Sequence, residues 1–152
     1  MLARELARPF PTVGLNTDAL DAARILAEHR LPGLIVLDEQ GAPLTVLPGS
    51  QVLRFVVPSY VQDDPALARA FDEKSADALC AKLEGRTVRE MLPKRRDQLE
   101  LPVGAPDDTA VELAARMAEL HSPLIAVIDG SELIGAVTVS ALLAHLLGTA
   151  AR

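Results

Sequence analysis

Few side chains in this sequence are of the types that carry out covalent or metal chemistry. The three histidines are His29, His121 and His145, and none has cysteine or carboxylate neighbours at the spacing of a metal site. Cys80 is the only cysteine; it has no histidine nearby to activate it, and its Ala/Leu surroundings predict a small buried residue. Ser50 lacks the second glycine that a nucleophile elbow requires, and no phosphate-loop or dinucleotide motif occurs. The sequence therefore predicts neither a catalytic site nor a metal site, and we expect that the protein is not an enzyme.

Composition and charge indicate a folded protein and argue against nucleic acid and the membrane interior as its partners. The chain has 152 residues, of which 49% are hydrophobic and 24% charged, so we expect one compact folded unit. The net charge of −6 disfavours nucleic acid, because binding to phosphates needs a basic field. The apolar runs are far shorter than the ~20 residues of a membrane span, so no direct membrane insertion is expected. A single cysteine and the absence of a signal peptide predict a cytoplasmic location.

An internal repeat organises the elements that must position any site. The segment around Pro32 matches the segment around Pro123 at an offset of 91 positions, and the same offset pairs Asp38 with Asp129. Two copies make a paired module rather than a solenoid, which needs about three or more repeats.

Each copy predicts a β-α-β-β-α unit, and the fold class is therefore α+β. Before this unit each copy carries a short helical turn, expected at residues 2–7 and 87–92. The capping oxygens, apolar stripes and turn residues give the following expected elements. In the first copy these are strand 12–15, helix 19–29, strands 34–37 and 44–47, and helix 51–56. In the second copy they are strand 103–105, helix 110–121, strands 124–128 and 133–139, and helix 141–147.

A segment without a counterpart separates the two copies. We divide the chain into a first repeat (residues 1–56), a helical insert (57–85) and a second repeat (86–152). Residues 66–83 of the insert have the apolar spacing of one amphipathic helix, which ends near Gly85. Two interpretations stay open: the helix packs on its own module, or it forms a docking or dimer surface.

The repeated pattern resembles a tandem pair of cystathionine-β-synthase (CBS) domains, a Bateman module. The residues that carry the resemblance are the strand openings Leu31-Pro32 and Ser122-Pro123, the return strand that ends at Thr138, and the helix start Ser140-Ala141-Leu142-Leu143. The resemblance implies two CBS repeats packed as a pseudo-two-fold pair with the helical insert between them. It covers nearly everything except that insert.

The resemblance implies regulation rather than catalysis. Members of this family bind AMP, ADP, ATP or S-adenosylmethionine in clefts between the two copies and modulate an enzyme or a membrane transporter. Their sites use a Thr or Ser at the end of the return strand and, three residues later, an Asp that holds the ribose hydroxyls. At these positions the second copy has Thr138 and Ala141, and the first copy is expected to have Gly49 and Val52. Neither copy carries the ribose carboxylate.

The resemblance also implies which residues line a ligand site. Thr138 and Ser140 are candidate polar contacts, the backbone near Pro32 and Pro123 is a candidate contact for a flat base, and Arg30 and His121 could meet a phosphate. The full candidate set is Thr138, Ser140, Ala141, Ser122, Pro123, Leu124, Val103, Pro32, Gly33, Leu34, Arg30 and His121.

Two classes of function remain at this point. The first is a regulatory module that senses a small ligand, and the second is a ligand-free interaction or adaptor protein. In both cases we expect a homodimer, because Leu142, Leu143, Leu146 and Leu147 are spaced to form an apolar helix face.

Overall fold

The first repeat folds into the expected order of elements. A computed structural model describes residues 1–70 and 73–151. The elements of the first repeat are α1 (Ala3–Leu6), β1 (Thr12–Gly14), α2 (Ala19–Glu28), β2 (Gly33–Leu37), β3 (Pro43–Pro48) and α3 (Gly49–Val56). The Asp18 carboxylate accepts a hydrogen bond from the Leu20 N–H at 3.1 Å, so α2 begins at the capping residue that the sequence supplies.

The insert differs from the single helix predicted over residues 66–83. It contains α4 (Ser59–Asp63), a 3₁₀ helix (Pro65–Ala70), α5 (Glu73–Cys80) and a second 3₁₀ helix (Ala81–Leu83). Pro65 lies at the start of this stretch, and the side chain of Leu67 is 43% exposed rather than packed. Cys80 is exposed, so the prediction of a buried cysteine is wrong. Phe71 and Asp72, which belong to the predicted helix, lie outside the described residues.

The second repeat has the same order of elements. These are α6 (Val88–Met91), β4 (Val103–Gly104), α7 (Ala110–Leu120), β5 (Leu124–Asp129), β6 (Glu132–Thr138) and α8 (Val139–Ala151). Each repeat has one three-stranded sheet in which the middle strand is parallel to the first strand and antiparallel to the third. The α+β class and the paired architecture are thus confirmed.

The first short helix of each repeat packs on the other repeat. The Ala3 N–H donates to the Asp108 carbonyl at 2.8 Å, and the Val88 N–H donates to the Thr17 carbonyl at 2.9 Å. These two bonds are equivalent in the repeat, as are the isolated bridges that join Leu2 to Thr109 and Asp18 to Thr87. The two repeats are therefore intertwined, and each needs a segment from the other to complete its core.

The hydrophobic core has three parts that follow this exchange. One cluster joins α2, β2 and α3 of the first repeat to Val88 and Met91 of α6. A second joins α7, β5 and β6 of the second repeat to Ala3 and Leu6 of α1. A third lies between the two sheets and includes Ile35 from β2. The division of the chain at residues 57 and 86 stays a prediction, since hydrophobic packing crosses it.

The β-hairpin of the first repeat is one residue longer than that of the second. Leu37 pairs with Pro43 across the first turn, whereas Ile128 pairs with Leu133 across the second. The offset between the repeats is therefore 91 from the first strand to the hairpin and 90 after the hairpin. Gly33 pairs with Pro48, and Leu124 with Thr138, at equivalent positions.

This register corrects the expected equivalences at the turn into the last helix. Pro48, not Gly49, corresponds to Thr138. Gln51, not Val52, corresponds to Ala141. Val52 is 8% exposed and lies in the first core cluster, so it faces away from any ligand.

The two repeats also differ in the linker between their first helix and first strand. The first linker is residues 7–11, and the second linker is residues 92–102, which is six residues longer. The second linker contains a 3₁₀ turn at Arg95–Asp97 and forms a bridge between Glu100 and Thr45 of β3. It therefore pairs with the return strand of the first repeat, as the shorter first linker pairs with the return strand of the second repeat through Arg8 and Ala136.

Candidate functional site

A cleft lies where the two repeats meet at the start of α8. It has a volume of about 430 Å³, and we call it the Thr138 cleft. The residues that line it are Arg30, Leu31, Pro32, Pro123, Thr138, Val139, Ser140 and Leu143. It thus brings together five of the candidate residues from both repeats. Its volume is in the range of about 300–1,000 Å³ that is typical of small-molecule sites.

The turn from β6 into α8 presents hydroxyl groups to this cleft. The Thr138 Oγ1 accepts a hydrogen bond from the Ala141 N–H at 3.2 Å and lies 3.2 Å from the Ser140 Oγ. The Val139 N–H donates to the Pro123 carbonyl at 3.0 Å, which ties this turn to the start of β5. Thr138 therefore caps α8, and the exposed hydroxyl of Ser140 stands beside it at the cleft.

Arg30 is the only charged residue among those that line the Thr138 cleft. It is exposed and has a left-handed backbone conformation (φ 51°) at the turn from α2 to β2. No ion pair in the described part of the chain includes Arg30. An unpaired guanidinium beside two hydroxyl groups favours an anionic ligand group such as a phosphate.

The remaining candidate residues lie outside the lining of this cleft. Gly33, Leu34 and Leu124 are buried within their strands. Ser122 is also buried, and its hydroxyl donates to the Leu124 carbonyl at 2.6 Å. Ala141 is exposed on the first turn of α8.

Two further candidates are positioned by α7. His121 ends this helix with φ 51° and lines an apolar groove of about 290 Å³ between α7 and α8. The carbonyl of Val103 accepts a hydrogen bond from the Arg116 guanidinium at 2.8 Å. The contribution of these residues to ligand binding stays a prediction.

Arg116 also binds the carboxylate that closes the turn before α7. The Asp108 carboxylate accepts hydrogen bonds from the Ala105 N–H at 2.9 Å and from the Arg116 guanidinium at 2.7 Å. The bond from the Ala105 backbone is the main cause that lowers the pKa of Asp108 below its usual range, and Arg116 lowers it further, although partial burial opposes both.

The first repeat has a different cleft at the equivalent turn. We call this cavity of about 500 Å³ the Arg54 cleft. It lies between the second linker and the β3–α3 region, and it is lined by Thr45, Val46, Pro48, Ser50, Gln51, Arg54, Pro93, Asp97, Gln98 and Leu99. Sequence reasoning missed Gln51, Arg54, Asp97 and Gln98. The one-residue difference in hairpin length was the signal that could have identified Gln51.

Two residues that line the Arg54 cleft occupy the positions of Thr138 and Ala141 of the second repeat. Pro48 occupies the position of Thr138, so this turn has no hydroxyl group, and α3 begins without a side-chain cap. Gln51 occupies the position of Ala141, and its Nε2 donates to the Met91 carbonyl at 2.8 Å. The two clefts therefore present different chemistry on equivalent backbones.

The described residues contain neither a cluster of metal ligands nor a membrane-spanning helix. No group of three or more His, Cys, Asp or Glu side chains there could hold a metal ion. None of the helices in residues 1–70 and 73–151 is long and apolar enough to cross a membrane.

Comparisons with known proteins match this chain to CBS domains. The family model for the CBS domain matches residues 3–49. No curated protein matches the sequence. A solved structure of a CBS domain-containing protein of unknown function from Kribbella flavida DSM 17836 is 54% identical, with a TM-score of 0.84; the match covers 97% of this chain and 99% of that one.

More distant structures share the fold. The CBS domain of a CBS domain-containing membrane protein from Sphaerobacter thermophilus is 24% identical, with a TM-score of 0.67, and the match covers 94% of this chain and 86% of that one. CBSX2, a CBS-pair protein of Arabidopsis thaliana, in complex with AMP, is 17% identical, with a TM-score of 0.65; the match covers 98% of each chain.

Proposed function

Because the chain belongs to the CBS-domain family, we propose that it is a regulatory module that binds a small adenosine-containing ligand with an anionic group, a phosphate or a carboxylate, in the Thr138 cleft. The observation that supports this most is the convergence of Arg30, Thr138 and Ser140 in one cleft between the repeats. The candidate ligands are AMP, ADP, ATP and S-adenosylmethionine. The CBSX2 complex with AMP, from a protein with the same fold, makes AMP the first ligand to test.

The groups of the cleft have distinct roles in this proposal. Arg30 binds the anionic group, the Thr138 and Ser140 hydroxyls form hydrogen bonds with the ligand, and Pro32 and Pro123 contact its flat part. Ala141 offers no carboxylate to the ribose hydroxyls, so the affinity for adenosine ligands is expected to be weak. Ligand binding at the junction of the repeats then changes the geometry that a cytoplasmic partner, an enzyme or a membrane transporter, recognises.

The test is calorimetry of the full chain with each of the four ligands. We expect that at least one binds and that the binding is weaker in Arg30→Gln and in Thr138→Val. A charge-assisted hydrogen bond contributes about 1.5–3 kcal/mol, so Arg30→Gln should weaken binding by roughly one to two powers of ten. Arg24→Gln is the matched control, because Arg24 is exposed on α2 outside the cleft. Loss of affinity in the control as well as in Arg30→Gln would contradict the assignment.

A second candidate function is a ligand-free dimeric adaptor. The apolar groove between α7 and α8 and the exposed side chains of Leu143 (49%) and Leu147 (64%) favour this alternative. In both candidates we propose that α8 contributes to a homodimer interface. Leu147→Asp should weaken the dimer, since Leu147 is exposed on α8 and the change places an unpaired charge in the proposed contact, whereas Leu146 packs partly on the core of its own repeat. A monomeric mass of the wild type by light scattering at micromolar concentration would contradict the dimer.

A further inference from the structure

We propose that the Arg54 cleft binds a small zwitterion of the free α-amino acid class between Arg54 and Asp97. This site is separate from the Thr138 cleft and does not depend on nucleotide binding there. The proposal rests on three features of the first repeat: a cleft that is already formed, the loss of the groups that would hold a ribose, and two opposite charges that are not paired with each other.

The second linker forms the outer side of the Arg54 cleft, and hydrogen bonds fix the chain at both ends of its exposed part. At one end, the Gln51 amide donates to the Met91 carbonyl at 2.8 Å. At the other end, the buried hydroxyl of Thr45 donates to the Leu99 carbonyl at 2.6 Å. The exposed part of the second linker spans the distance between these anchors. A ligand can therefore enter a cavity of about 500 Å³ without first ordering the linker.

The same contacts make the cleft unsuitable for adenosine. Pro48 provides no hydroxyl at the turn, and the Gln51 amide is already used by the Met91 carbonyl. Held by that bond, the amide presents one neutral oxygen to a ribose, whereas a carboxylate presents two charged oxygens to the two hydroxyls. The ligand of this cleft is thus expected to have no ribose.

Opposite charges line the cleft from its two sides. Arg54 comes from α3 and belongs to no ion pair in the described part of the chain. Asp97 comes from the second linker, and its ion pair is with the adjacent Arg96 at 3.9 Å. Both of these side chains are largely exposed, so that pair contributes little. A carboxylate fits the guanidinium of Arg54, and an ammonium group fits the carboxylate of Asp97.

Neutral groups complete the recognition of a small zwitterion. The Ser50 hydroxyl and the amide oxygen of Gln98 can form hydrogen bonds, while the Gln98 Nε2 donates to the Pro93 carbonyl at 3.2 Å. Val46 and Leu99 add apolar lining. The side chain of the bound amino acid is therefore expected to be apolar or uncharged.

The experiment is calorimetry of the full chain with each of the twenty free amino acids at millimolar concentration. We expect that at least one binds, and that its amide and its N-acetyl derivative bind at least about tenfold more weakly, because each lacks one of the two charges. Arg54→Gln and Asp97→Asn should each weaken binding by about 10- to 100-fold.

Two matched variants serve as controls. Arg96→Gln changes a neighbouring charge outside the cleft lining, and Arg30→Gln changes the Thr138 cleft; both should leave amino-acid affinity unchanged. The proposal is overturned if none of the twenty amino acids binds, or if binding survives both Arg54→Gln and Asp97→Asn. Loss of nucleotide binding in Arg30→Gln reports on the proposed function alone, so the two failures are distinguishable.

Discussion

At the end of the return strand, the second repeat has Thr138, whose hydroxyl caps α8, and the first repeat has Pro48, which caps nothing. The backbones around these residues are equivalent, since the Val139 N–H donates to the Pro123 carbonyl at 3.0 Å and the Gly49 N–H donates to the Pro32 carbonyl at 3.2 Å. The repeats therefore preserve the frame of the cleft while changing its chemistry. The comparison shows that one repeated fold can provide two clefts with unlike side chains.

The two linkers contact the return strands at different positions because they differ in length. In the second repeat, the backbone of Arg8 in the short first linker pairs with Ala136 through two hydrogen bonds, at 3.0 and 3.1 Å. In the first repeat, the longer second linker passes over β3 and pairs at Thr45 instead. The additional residues supply Asp97 and Gln98, which have no counterparts in the first linker.

The largest loss of stability is expected where the two repeats exchange their first short helices, α1 and α6. Leu6 and Met91 occupy equivalent positions in α1 and α6 and are 8% and 1% exposed. Leu6→Ala and Met91→Ala should each lower the free energy of unfolding by about 2–5 kcal/mol, since each leaves a cavity in the other repeat's core. Urea unfolding followed by circular dichroism measures this. Leu67→Ala, on the exposed insert, is the control; equal losses in all three variants would count against the exchange.

A smaller loss of stability is expected where each linker contacts a return strand, and its size should differ between the two contacts. Gly135 and Thr45 are equivalent because they pair with Val127 and Val36. A Cβ at Gly135 would lie 2.6 Å from the Arg8 carbonyl oxygen, so Gly135→Ala should destabilise by about 1–3 kcal/mol through overpacking. Thr45→Ala removes one hydrogen bond and should cost about 0.5–1.5 kcal/mol. The same unfolding assay compares them, and a neutral Gly135→Ala would show that the Arg8 backbone lies elsewhere.

The smallest expected effect concerns the pH dependence of stability, which should differ between the turn before α2 and the turn before α7. The turn before α2 is closed by a neutral group, since the Gly14 N–H donates to the Thr17 hydroxyl at 2.8 Å, whereas Asp108 closes the equivalent turn before α7. Because the pKa of Asp108 is lowered in the folded state, its contribution is complete above its unfolded pKa of about 4 and is lost as pH falls through the folded value.

Asp108→Thr, which copies the first repeat, should remove that acid-dependent contribution. The stability difference between the wild type and this variant should be constant from pH 7 to about pH 5 and should shrink below about pH 4. Thermal unfolding at a series of pH values measures it. A difference that grows as the pH falls would have the wrong sign for a lowered pKa.

The sequence predicted the order and type of the repeated elements, because capping residues and apolar stripes are local signals. Asp18 and Thr109, for example, begin α2 and α7 as expected. The exchange of α1 and α6 was not predictable, because the apolar face of a short helix does not identify its partner. The expected pairing of Gly49 with Thr138 was wrong because it uses an offset of 89, whereas the two hairpins, which differ by one residue, change the offset from 91 to 90.

The candidate site was predicted in part. Thr138, Ser140 and Arg30 do line one cleft, but Ser122, Leu34 and Leu124 are buried by strand packing that a motif does not reveal. The Arg54 cleft depends on a linker whose path is set by tertiary contacts at Thr45 and Met91. Such contacts join residues that are far apart in the sequence and leave no local pattern.

The central claim is that only the second repeat has the side-chain groups that suit an adenosine ligand, and titration of AMP into Ala141→Asp and Gln51→Asp tests it most directly. Ala141→Asp places a carboxylate beside Thr138, and two charge-assisted hydrogen bonds to the ribose should raise AMP affinity by roughly one to two powers of ten over the wild type. Gln51→Asp should give no gain, because Pro48 offers no hydroxyl and the new carboxylate would face the Met91 carbonyl. Equal gains in both variants, or tight AMP binding by the wild type that neither substitution changes, would contradict the account.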